Sequence, residues 1–148
     1  MNTCNPKLLL HIGTNDMVSN RQEGAVNRLD SLINQITLNR PNVKLFVAGI
    51  TPLTYGTAWA NDRVISYIQA INCTVGPKYR DSLHRHVYYV DQYATFVSNG
   101  VSDPTHIPDG AHPDQTNYDL MATAWAKSIM ATLPQPTLKD TIGVTDSK

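Results

Sequence analysis

Leu8-Leu9-Leu10-His11-Ile12-Gly13-Thr14-Asn15-Asp16 joins an apolar run to a compact polar cluster, the pattern of a buried strand that ends in a turn. In an open α/β sheet the carboxyl ends of parallel strands form the crevice where ligands bind, so polar groups at such an exit invite a chemical reading. A plain strand-to-helix turn fits as well. Gly13 then supplies backbone freedom, and Asn15 or Asp16 caps the next helix, as Asn and Asp commonly do.

Outward from that stretch, strands and helices alternate as in parallel βαβ units. The first strand is expected over Lys7 to Ile12. A helix follows from about Arg21 to Arg40, with Val26, Leu29, Ile33 and Ile36 at helical spacing and Pro41 stopping it. Val43 to Ile50 is rich in β formers and ends at Thr51-Pro52, where a second site loop begins. The next helix carries Val64, Ile68, Ile71 and Val75 and is expected to end near Gly76-Pro77. His86 to Val90 reads as the last strand, and Asp91 to Pro113 as a long loop. A final helix, capped by Asp114 and ending near Leu133, places Tyr118, Met121, Ala122, Trp125 and Ile129 on one face. The polar residues from Pro134 to Lys148 read as a disordered tail.

The chain has 148 residues, about one domain's worth, with Lys+Arg 12 against Asp+Glu 12. Zero net charge offers no basic footprint for nucleic acid and no polybasic membrane patch. No apolar run reaches membrane-span length, and Met1 to Pro6 lacks the charged-then-apolar pattern of a signal peptide. Cys4 and Cys73 cannot make a disulfide framework; free thiols or one bridge both fit. Asn72-Cys73-Thr74 is formally a glycosylation sequon, a triplet that also arises by chance.

Pro108-Asp109-Gly110-Ala111-His112-Pro113 lies between an irregular segment and the final helix, with Asp and His three apart. In a Ser-His-Asp arrangement the carboxylate holds the imidazole in the correct tautomer and stabilises the imidazolium that forms in acyl transfer. Asp81-Ser82-Leu83-His84 has the same spacing but precedes a strand, at the sheet end opposite the crevice. His11, His84, His86 and His106 lack compact ligand spacing such as His-Glu-x-x-His. His11 reads as a satisfied strand histidine and His106 as a solvated loop residue. Neither a metal nor another cofactor is implied.

Together, Gly13-Thr14-Asn15-Asp16 and the late Asp109-Gly110-Ala111-His112-Pro113 resemble the motifs of the SGNH hydrolases, the GDSL-type esterases and lipases. Their order, their separation, the strand before one and the helix after the other all agree. The resemblance implies an α/β, partial flavodoxin-like three-layer sandwich with a parallel sheet and its first strands missing. It assigns Asn15 as an oxyanion donor, His112 as general base and Asp109 as its orienting carboxylate. Gly13 is then structural, Asp16 a cap or hydrogen-bond anchor, and Pro113 fixes the loop. The family's Gly-Asp-Ser nucleophile segment is not found: Ser19, Ser31, Ser66, Ser98 and Ser102 all stand in other contexts.

Residues 1–133 are accordingly expected to be the C-terminal two-thirds of an SGNH domain, inactive alone, whose strand at 7–12 is a naked, aggregation-prone edge. Within the family the chain looks most like carbohydrate esterases that remove acetyl groups from xylan, so the implied partner is a small-molecule or polysaccharide ester. Tyr55, Trp59 and Tyr93 could stack on a sugar. A secreted full-length parent is expected. The alternative is a non-catalytic SGNH remnant or carbohydrate-binding module, which an in-frame Gly-Asp-Ser segment encoded upstream would argue against.

Overall fold

Parallel strands need crossovers, and the chain supplies a helix for each. The computed structural model describes residues 6–54, 58–101 and 106–134. Strand β1 (Lys7–Leu10) is followed by the short helix α1 (Thr14–Val18) and by α2 (Ala25–Asn39), then β2 (Lys44–Ala48). Helix α3 (Ala58–Thr74) leads to β3 (Val87–Val90), and α4 (Gln92–Ser98) and α5 (Gln115–Met130) complete the order. The sheet runs β1-β2-β3, all parallel, with Leu9 beside Phe46 and Phe46 beside Tyr88. These elements bear out the α/β class and a partial flavodoxin-like frame.

Alternation along β2 divides the core between two faces. Leu45 and Val47 join Leu29 and Ile33 of α2 and Val64, Ile68 and Ile71 of α3 in one cluster. Phe46 and Ala48 join Val90, with Ala124, Trp125 and Ile129 of α5 packed against them. The sheet is thus the middle of three layers, and its carboxyl-end loops lie on one rim.

Several expectations need correction. β1 ends at Leu10, short of Ile12; it does form the expected edge, since among the described residues it pairs only with β2 and leaves Leu8 and Leu9 exposed. α2 begins at Ala25, since a turn through Asn20 and Gly24, both at positive φ, precedes it. α3 does not stop at Gly76-Pro77: Val75–Ser82 continues it as a π-helix. Tyr79 anchors that turn, fully buried, its hydroxyl donating to the Asp30 carbonyl at 2.7 Å. The expected loop 91–113 contains α4, capped by Asp91, whose Oδ1 accepts from the Ala94 N–H at 2.8 Å. Phe96 of α4 packs with Val101 and Met121.

On α5 the buried positions include Asn117 and Met121, whereas Tyr118 and Ala122 are exposed. Tyr55, Cys4, Ser102 and the tail from 135 lie outside the described residues, as does the side chain of Trp59; Tyr93 packs against the core. Cys73 is exposed and free. No helix among the described residues is long and apolar enough to cross a membrane.

Candidate active site

Gly13 turns the chain from β1 into α1 at φ 118, a conformation L side chains rarely adopt. A Cβ there would lie 2.6 Å from the Tyr67 ring, so the turn presses directly on α3. The Tyr67 hydroxyl donates to the Ile12 carbonyl at 3.3 Å, and burial pushes its pKa up to about 12, keeping the donor proton in place. Asp16 Oδ1 accepts from Arg28 Nη2 at 2.6 Å, which ties α1 to α2. Gly13 itself is the helix N-cap, and no side chain caps α1, so neither Asn15 nor Asp16 does the capping that the plain-turn reading required.

The second motif is folded on its own carboxylate. Asp109 Oδ1 accepts from the backbone N–H groups of His112 at 2.7 Å and Ala111 at 3.0 Å, while Oδ2 meets His112 Nδ1 at 2.7 Å. The His112 N–H, then the Ala111 N–H and the imidazole, hold the Asp109 carboxyl well below the usual carboxylate range. With the proton on Nδ1, Nε2 is left as an acceptor. Gly110, at φ 85, accepts through its carbonyl from the Thr54 N–H at 3.0 Å, docking the loop on the β2 exit.

The two motifs share one cleft of about 450 Å³, lined by Gly13, Asn15 and Asp16 from one side and by His112 and Pro113 from the other. Among the described residues no protein hydrogen bond engages the Asn15 side chain. Thr51 lines the cleft too, at the start of the expected second site loop, and sequence reasoning missed His11, Tyr118 and Met121 as lining residues. Thr51 follows β2 at the same sheet rim as Asn15. His11 is not a satisfied histidine: its Nε2 is buried with no hydrogen-bond partner among the described residues, and burial lowers its pKa.

His106 is not simply solvated, because its Nδ1 lies 3.1 Å from Asp114 Oδ2. Asp81 bonds Arg80 at 2.8 Å, leaving the Asp81/His84 spacing without a pair among the described residues. No group of three His, Cys, Asp or Glu that could hold a metal ion occurs among the described residues.

Asn15 at one strand exit and the Asp109–His112 pair in the loop before the last helix thus meet at one cleft, an arrangement similar to the one the sequence resemblance implies. No family model matches the chain. It is similar to a family 3 carbohydrate esterase of Clostridium thermocellum, 30% identical with a TM-score of 0.63, over 88% of this chain and 59% of that one. A GDSL-like lipase of Bacteroides thetaiotaomicron shares the fold at 20% identity and a TM-score of 0.64, over 84% of this chain and 62% of that one. A multidomain esterase of Ruminococcus flavefaciens is 27% identical over 126 residues, 82% of this chain and 15% of that protein. The expected resemblance to the SGNH, or GDSL-type, hydrolases is thus borne out: the chain has their fold, and esterases are among its relatives. It spans about three-fifths of the two solved structures.

Proposed function

We propose that this chain is the Asn15/Asp109/His112 portion of a serine esterase acting on carboxylic esters of carbohydrate, O-acetyl esters first. The observation that carries the reading is that Asn15 and His112, from opposite parts of the chain, line one cleft. The His112 imidazole takes the proton of an attacking hydroxyl and returns it to the leaving alcohol, and Asp109 orients and stabilises the imidazolium. The Asn15 amide donates to the oxygen that gains charge in the tetrahedral intermediate, a contribution of roughly 3 kcal/mol to the barrier. The carbohydrate esterase of Clostridium thermocellum supports the substrate class. A secreted full-length parent, with residues 1–133 as the C-terminal two-thirds of its domain, accords with a polysaccharide substrate.

The hydroxyls that line the cleft among the described residues belong to Thr14, Thr51 and Tyr118, and none is a serine. Loss of a nucleophile costs on the order of a million-fold in turnover. The chain alone is therefore expected to hydrolyse p-nitrophenyl acetate no faster than background. Hydrolysis that disappears in His112→Ala would contradict this and point to a nucleophile within the chain.

A further inference from the structure

Tyr118 is the residue that helical spacing placed in the core and the fold turned outward. Its rotation is set by its neighbour: Asn117 is buried, its Nδ2 donating to Asp114 Oδ1 at 2.8 Å and to the His106 carbonyl at 3.4 Å. With Asn117 and Met121 fixing the inner face of α5, Tyr118 comes to line the cleft beside His112 and Pro113 while 44% exposed. Among the described residues its ring has no aromatic partner and its hydroxyl no hydrogen bond. Ligand clefts are lined predominantly by apolar and aromatic side chains, and an open tyrosine offers both a ring face and a hydroxyl to a ligand.

Charge narrows what binds there. No Lys or Arg among the described residues lines the cleft, which disfavours a phosphate-bearing or otherwise anionic alcohol. Asp16 is engaged by Arg28, and the buried His11 is held toward its neutral form. The rest of the lining includes the apolar Ile12, Ala111, Pro113 and Met121 and the hydroxyls of Thr14 and Thr51. An apolar face with one hydroxyl at its edge matches a neutral pyranose, whose C–H face stacks on an aromatic ring and whose hydroxyls bond at its rim.

We infer that Tyr118 is the stacking platform for the alcohol portion of the ester, a neutral sugar ring held with its acyl group toward His112. This rests on the ester-site reading above. The test follows the Tyr118 ring, Asn15 side-chain amide and His112 ring signals by NMR while xylotriose, and separately ethyl acetate, is added to the intact chain. Xylotriose is expected to move the Tyr118 signals, with affinity falling about tenfold in Tyr118→Ala and staying within about twofold in Tyr118→Trp. Equal xylotriose affinity in Tyr118→Ala overturns the platform. So does silence toward xylotriose; if ethyl acetate still moves Asn15 and His112, the ester site stands without it, whereas silence toward both probes removes both.

Discussion

Buried imidazole nitrogen without a partner costs roughly 1–3 kcal/mol, and His11 Nε2 is such a group. Replacing the ring by an apolar side chain removes that cost, so His11→Leu is expected to raise stability by about 1 kcal/mol near neutral pH, read from the urea midpoint. The pH dependence has a definite sign. Burial lowers the folded-state pKa of His11 below the ordinary histidine value of 6.5, so the unfolded chain binds the extra proton first. The His11 contribution is complete above that value and is lost as pH falls from 6.5 toward the folded pKa. Wild type should therefore lose more stability than His11→Leu between about pH 7 and about pH 5.5. Equal losses would show that His11 protonates freely in the folded chain. Asn15, Asp109 and His112 were legible at this scale because turn and triad chemistry restrict residue type. The His11 vacancy was not, because pairing depends on neighbours that only the fold assembles.

At the scale of elements, the N-terminus of α5 joins stability to the site. Asp114 Oδ1 accepts from the Asn117 backbone N–H at 2.9 Å, and Oδ2 meets His106. Asp114→Ala should cost about 1 kcal/mol, as lost N-caps do, and should loosen the turn that carries Tyr118 and follows His112. Urea unfolding measures the first effect and amide exchange at residues 110–118 the second; an unchanged midpoint would contradict the capping role. The helix and its Asp114 cap were readable from sequence, but its inner face was not: spacing alone favoured Tyr118, while burial went to Asn117 because Asp114 and His106 satisfy its amide. α4 was missed for a related reason. Its buried Gln92 donates to the Met121 carbonyl at 3.2 Å, so a polar residue occupies a position that pattern reading reserves for an apolar one. The π-helical extension was hidden by Gly76-Pro77, an ordinary stop signal overridden by the burial of Tyr79.

For the whole molecule, the decisive feature is a parallel sheet whose first strand has, among the described residues, a partner on one side only. Leu9, 46% exposed, and Leu8, 40% exposed, make that edge apolar, the kind of surface that recruits another strand. Sedimentation velocity is expected to show association that grows with concentration and is reduced by Leu9→Lys. A monomer at all concentrations, with or without the substitution, would contradict that reading of the edge. The alternation of strands and helices was legible from periodicity and β formers, and the three-layer parallel sheet from the family resemblance. The apolar run Leu8-Leu9-Leu10 alone reads as buried; its place at an edge was legible only through the family resemblance.

The central claim is that Asn15 and His112 act on one bound acyl group. Titration with acetate, followed through the Asn15 side-chain amide and the His112 imidazole, tests it most directly. Both signals should move with a single dissociation constant, and Asn15→Ala should weaken the response at His112. Independent responses, or a His112 shift while Asn15 stays still, would contradict the account.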